Sequence, residues 1–370
     1  MSGAEQPFSS PVPSAGTAPF SLPCDCQTLA PDPDLPPGLA VRPASVHLHR
    51  KLDLVLRAQE WDAEWRGGAA LLTVATPERL RELLGAFSQT ERPDLAAAPW
   101  HGAEVDPWQV APLERWVQRF LSGWFAAASR ELEFHMQPVV ALSGGQVYGH
   151  EALVRARWHG DLIGAGPLLD AAAAHGQSRA FDAQARRAAI RQVYPQLAPG
   201  QVLFINFAPG VVYNPNICLR TTFEACREVG ADFGRLLFEV TESEAFPDLK
   251  LLGSILERYR AEGAQVALDD LGAGHTSLTY LAALRPDLVK LDRNLIRGLH
   301  ADDARVPLVQ ALIRYAHDLG IRTVAEGIET AQELRLVTEL GADYGQGYFL
   351  GRPAPRPAGL SAQAAGHFPG

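Results

Sequence analysis

Residues 236–292 read LLFEVTESEAFPDLKLLGSILERYRAEGAQVALDDLGAGHTSLTYLAALRPDLVKLD. Three short β-rich runs stand out: LLFEVT (236–241), QVALDD (265–270) and DLVKLD (287–292). The amphipathic stretch PDLKLLGSILERYRAEG lies between the first two, so the segment reads as strand, helix, strand. Working outward, the same texture recurs in FHMQPVVAL (134–142), QVYGHEALV (146–154), VLFINF (202–207), IRTVAEGI (321–328) and DYGQGYFL (343–350), with RVPLVQALIRYAHDLG as another amphipathic spacer. Eight strand-like runs interleaved with helical stretches predict an α/β fold, a modified TIM-type (β/α)8 barrel. Only SGG separates the first two runs, so they should form a hairpin and leave one antiparallel strand.

Six of these runs end in polar or acidic residues: Glu151, Asn206, Glu239, Asp269 with Asp270, Lys290 and Glu326. A barrel gathers all such strand ends on one face, where the active sites of this architecture lie. Five carboxylates beside one amide cannot all be ionised and desolvated without cations, and all-oxygen ligation without Cys or His favours Mg²⁺ or Mn²⁺. The adjacent Asp269 and Asp270 suit two ions sharing one carboxylate, as in two-metal phosphoryl-transfer sites. Lys290 is placed to orient a water and help deprotonate it. Singly, a glutamate at a strand end is a solvated or capping residue; seven such positions in consecutive units read as a site.

Residues 137–346 resemble the EAL family of cyclic di-GMP phosphodiesterases. The resemblance runs through Gln137-Pro138, Glu151-Ala152-Leu153-Val154-Arg155, Asn206, Glu239-Val240-Thr241-Glu242, Asp269-Asp270-Leu271-Gly272-Ala273-Gly274, Lys290-Leu291-Asp292, Glu326-Gly327-Ile328-Glu329 and Gln346-Gly347-Tyr348. It implies that Glu151, Asn206, Glu239, Asp269 and Asp270 ligate two Mg²⁺ or Mn²⁺ ions, with Glu326 at the same centre. Lys290 would hold or activate the attacking water, and Gln346 would order the water and the catalytic groups. Glu242 would anchor the loop after Asp270, while Gln137, Arg155 and Asp292 would meet the substrate. The implied reaction opens cyclic di-GMP to linear pGpG; the alternative is a weakly active or inactive receptor for the dinucleotide or a protein partner. Leu271, Ala273 and His275 depart from the family's usual residues, and none of them removes a ligand.

The rest of the chain bounds these expectations. A formal charge of −9 argues against general attraction to duplex nucleic acid or anionic membrane. No apolar run reaches the roughly 18–20 residues of a membrane span, and four unevenly placed cysteines suggest a reducing cytoplasm. Residues 1–45 read as a disordered Pro-rich tail, 46–111 as a small α/β or mostly helical module of unknown role, and 112–131 as a connecting helix. The barrel is expected over 132–354, with a flexible tail over 355–370. The connecting helix has one wide apolar face, which either packs within the chain on the next domain or pairs with its copy in a homodimer. Cys24, Cys26, His47 and His49 are read by default as incidental residues, and as a metal site only by the sharper alternative.

Overall fold

The computed structural model describes residues 29, 35–102, 104–240, 248–272 and 278–368. The N-terminal module consists of β1 (Gly38–Pro43), α1 (Val46–Ala58), β2 (Ala63–Arg66), β3 (Ala69–Thr73), α2 (Pro77–Gly85), β4 (Leu95–His101), β5 (Glu104–Val105) and β6 (Ala111–Pro112). Its main sheet runs β2-β3-β1-β4-β5 with antiparallel neighbours. Ser45 accepts a hydrogen bond from the Leu48 N–H to start α1, and Thr76 with Pro77 starts α2. Leu48, Leu52 and Leu56 then recur every four residues and are buried against Leu39 and Val41 of the sheet.

Three expectations are corrected here. Residues 38–43 are not tail but the central strand, because the alternation of Leu39 and Val41 fills the module's core despite prolines on either side. The connecting helix is two pieces, α3 (Leu113–Leu121) and α4 (Phe125–Ala128), broken by the turn at Ser122 and Gly123. Leu113, Trp116, Val117 and Phe120 of α3 join the N-terminal core, so the apolar face packs on the preceding module rather than on the next domain, and only Phe125 of α4 joins the barrel core. The segment after residue 355 is docked: Ser361 donates to the Phe349 carbonyl and caps a short helix whose Ala364 is fully buried. Small residues there pack closely where composition alone suggested looseness. Cys24 and Cys26 lie outside the described residues, and His47 and His49 sit on α1.

The barrel begins with β7 (Leu132–Ala141), β8 (Val147–Trp158) and β9 (Asp161–Ile163), then α5 (Ala165–Ala174) and α6 (Ser178–Val193). There follow β10 (Val202–Phe207), β11 (Leu236–Val240), β12 (Gln265–Leu271), β13 (Leu288–Leu291), β14 (Arg322–Ala325) and β15 (Tyr344–Gly345). Strand order is β10-β11-β12-β13-β14-β15-β7-β8-β9, and a β8–β10 pairing closes the ring with β9 outside it. The hairpin expectation holds: β7 is antiparallel to both β8 and β15, and the other neighbours in the ring are parallel. Apolar residues such as Val139, Phe204, Leu237 and Val324 fill the interior below the strand C-termini. At the opposite end, Arg322 donates to the Tyr148 and Tyr344 hydroxyls and to Gln265, closing the barrel floor.

Closure depends on Gly149, which pairs with Val202; a Cβ there would lie 2.2 Å from the Val202 carbonyl oxygen and 2.9 Å from the Phe204 ring. Gly149→Ala should therefore destabilise the protein by about 1–3 kcal/mol, as overpacking does. Denaturant unfolding measures this, and an unchanged midpoint would mean that the β8–β10 contact is not made as described.

Candidate active site

The strand C-termini bring together the acids that the sequence scatters. Asn206 on β10 lies in register with Glu239 on β11, and Glu239 with Ala267 on β12, two residues before Asp269. Glu151 is placed differently from expectation. It stands within β8 rather than at its end, because β8 runs on to Trp158 and pairs beyond the ring with β9; there Glu151 faces Gln137 of β7 and Phe204 of β10.

Adjacent residues on a regular strand point to opposite faces, so Asp269 and Asp270 would normally diverge. Here β12 breaks register between Leu268 and Leu271, and Asp270 adopts φ +55°, a conformation that few residues other than glycine accept. As a result, carboxylate oxygens of Asp269, Asp270 and Glu326 lie within 4.8 Å of one another. Gly327 follows Glu326 at φ +72°, and its missing Cβ admits Arg293, which would otherwise lie 2.6 Å away.

At the centre stands Lys290, 1% exposed. Its ammonium lies 2.6 Å from Glu326, 3.1 Å from Glu239, 3.4 Å from Glu151 and 3.5 Å from Asp269. Burial alone would lower its pKa, but these carboxylates outweigh burial and hold it well above the usual lysine value. Burial also raises the pKa of Glu151, yet Lys290 and the hydrogen bonds from Asn206 (2.7 Å) and Gln346 (2.8 Å) leave it below the ordinary value. For Glu239, Asp269 and Glu326 burial dominates; the Lys290 charge opposes it, and the charges of the neighbouring carboxylates add to it. Glu239 and Asp269 are pushed up, and Glu326 to about 8.

The geometry fits a divalent cation. Glu239 is fully buried, yet neither of its oxygens has an aligned hydrogen-bond partner among the described residues, and Oε1 meets Lys290 only as a charge at 3.1 Å. One ammonium also leaves the carboxylate group underneutralised. A hard cation answers both, and carboxylates with an amide are its usual donors.

Three other expected residues are hydrogen-bonded to backbone groups. Gln137 donates to the Gly351 carbonyl at 3.2 Å, Asp292 caps the short helix Arg293–Ile296 by accepting from Asn294 N, and Arg155 donates to the Val154 carbonyl. Glu242 lies outside the described residues, as do residues 273–277 of the loop after Asp270. A cavity of about 210 Å³ adjoins the carboxylates, lined by Gln137, Glu151, Glu326 and Gln346 and also by Arg293, Glu329 and Tyr348. Arg293 was missed by sequence reasoning, although it directly follows the Lys290-Leu291-Asp292 run. A larger cleft, about 860 Å³, opens on the flank between α3 and the α5–α6 pair. Its Glu114, Arg115, Asp170 and Arg179 gather no cluster of buried acids, so the chemistry is assigned to the smaller cavity.

The EAL domain family model matches residues 122–353. The cyclic di-GMP phosphodiesterase NbdA of Pseudomonas aeruginosa is 32% identical over 229 residues, covering 61% of this chain and 29% of that protein. The chain thus spans about a third of the length of the curated relatives it matches. A standalone EAL protein of Vibrio cholerae, solved with c-di-GMP bound, is 30% identical with a TM-score of 0.56, over 62% of this chain and 96% of that one. BlrP1 of Klebsiella pneumoniae aligns over 87% of this chain and 98% of its own, with a TM-score of 0.58; at 21% identity it carries the fold alone, beyond the barrel into the N-terminal module. The chain belongs to the EAL domain family.

Proposed function

We propose that this protein is a metal-dependent phosphodiesterase that opens cyclic di-GMP to the linear dinucleotide pGpG. The observation that carries the reading is the fully buried Glu239, without an aligned hydrogen-bond partner among the described residues, inside a ring of acids that a single lysine does not neutralise. The naming of NbdA as a cyclic di-GMP phosphodiesterase and the c-di-GMP-bound Vibrio structure support the substrate.

Glu151, Asn206, Glu239, Asp269 and Asp270 would hold two Mg²⁺ or Mn²⁺ ions, with Glu326 beside them. Bound there, the ions would neutralise developing charge on the phosphodiester and lower the pKa of water. Lys290, kept as an ammonium by its neighbours, spaces the carboxylates and would hold the attacking water. Gln346 fixes Glu151 through its amide hydrogen bond. Arg155 offers a guanidinium for a phosphate, and Gln137 and Asp292 border the substrate. Glu242 would steady the loop after Asp270. The active protein is proposed to be a cytoplasmic homodimer; among the described residues no helix is long and apolar enough to cross a membrane.

Purified protein with Mn²⁺ should convert cyclic di-GMP to pGpG, while excess chelator, Glu151→Ala or Asp269→Ala should abolish product with the fold intact. Tight dinucleotide binding without any product would instead assign the chain to the receptors. Lys290→Met should lower the rate more than substrate affinity. In chelator it should also cost about 3–5 kcal/mol at neutral pH, because it strands buried carboxylates; wild-type stability in urea unfolding would remove Lys290 from the centre of the charge network.

The raised pKa of Glu326 gives a pH test with a definite sign. A carboxyl whose folded pKa exceeds its unfolded value stabilises the fold fully below the unfolded value, about 4.3 for glutamate, and loses that contribution as pH rises through the folded one, here about 8. The melting temperature in chelator should therefore fall between pH 6 and about 8.5, and saturating Mn²⁺ should flatten the fall. A metal-free melting temperature that rises over this window would contradict the assignment.

A further inference from the structure

Behind Asn206 lies a second charged pair, outside the carboxylate ring. Asp182 and Arg186 sit one turn apart on α6, 8% and 2% exposed, and form an ion pair with each other. The free oxygen of Asp182 accepts the Ala208 N–H at 3.0 Å. Arg186 donates Nε to the Thr222 hydroxyl at 3.3 Å, and its guanidinium lies over the Phe207 ring, 5.1 Å from the centroid. Phe207 and Ala208 are the two residues that follow Asn206, and the β10–β11 ladder ends at Phe207 paired with Val240. The Ala208 N–H thus falls just beyond the sheet, and Asp182 takes over where the ladder stops.

A buried ion pair is a poor means of stabilising a core, since two apolar side chains of similar volume often do as well or better. What apolar residues cannot do is accept a backbone N–H at this position. The polar function of the pair is its grip on the strand end that carries Asn206, whose amide on the other side donates to Glu151 at 2.7 Å.

We propose that Asp182 and Arg186 are positioning residues: together they fix the end of β10 so that the Asn206 amide stays within the acidic ring, and thereby set the affinity of that ring for its cations. This rests on the reading of Glu151, Asn206, Glu239, Asp269 and Asp270 as a metal centre. Groups behind metal ligands typically change metal affinity 10–100-fold when removed.

The test is Mn²⁺ binding to the full chain without substrate, followed by the electron-paramagnetic-resonance signal of free Mn²⁺, with melting temperatures in parallel. Wild type is compared with Asn206→Ala, with Asp182→Leu/Arg186→Met, and with Ala208→Pro. The double variant replaces the pair by apolar volume. Ala208→Pro deletes only the N–H, at a residue whose φ of −92° is near proline's range and whose predecessor is already extended in β10. Both should bind Mn²⁺ about tenfold more weakly than wild type while still unfolding cooperatively, at a melting temperature lowered by the buried group left unpaired, and excess Mn²⁺ should restore their turnover. If Asn206→Ala weakens binding but the other two match wild type, the positioning role is overturned and the metal centre stands. If wild type itself binds no Mn²⁺, the metal reading falls and the proposal with it. Should the double variant not fold, Ala208→Pro alone decides between these outcomes.

Discussion

The Lys290 ammonium, 1% exposed and within 3.5 Å of four carboxylates, is the interaction on which the rest of the barrel mouth depends. Each of these ions costs several kcal/mol to take out of water, and only mutual attraction in good geometry offsets that cost. One positive charge cannot balance the group, so the remainder must be met by protons or by cations. Burial pushes the pKa values of Glu239, Asp269 and Glu326 upward, in the direction of the proton solution. A bound cation is the competing solution, and a site built this way exchanges protons for metal as it fills.

Geometry of this kind needs a rigid frame that delivers side chains from distant parts of the chain to one level. Parallel strands do this by registering Asn206 with Glu239 and bringing Lys290 alongside. The irregular features do the rest. The break in β12 with Asp270 at positive φ turns neighbouring carboxylates toward the same side. The antiparallel β7 sets Gln137 opposite Glu151, and the Gly351 carbonyl of the returning C-terminal segment then holds Gln137 by its amide. That segment is pinned in turn by the bridge between Met136 and Ala354 and by the hydrogen bond between His150 and the Ala358 carbonyl. The expected tail, through Ala358, thus helps to pin the segment whose Gly351 holds Gln137.

What the sequence made legible follows from periodicity. All eight barrel strands were readable because β-rich runs alternate with amphipathic stretches, and the acids were readable because they cluster at the ends of those runs. Features that depend on local context escaped. β1 is a short apolar run inside a Pro-rich window, so averaged composition hides it. The turn at Ser122 and Gly123 interrupts an apolar pattern that looks continuous when only spacing is counted. Asp182 and Arg186 have the spacing of an ordinary solvated helix pair, and nothing in the sequence distinguishes a buried pair from an exposed one. Burial is a tertiary fact, and it is what changes their meaning.

The position of α6 makes that pair more than a local brace. Arg115 on α3 donates to the carbonyls of Ala173 and Ala174 at the end of α5, and the Ser122 hydroxyl meets His175 in the turn that leads into α6. Phe125 and Phe181 pack beside these contacts at a centroid distance of 5.6 Å. The next residue of α6 is Asp182, holding the backbone behind Asn206. The first turns of this helix therefore lie between the joint with the N-terminal module and the backbone just after β10. A close-packed interior transmits displacement rather than absorbing it. The buried Asp182–Arg186 pair holds the strand end carrying Asn206, whereas the flank between α3 and the α5–α6 pair is left open by the cleft.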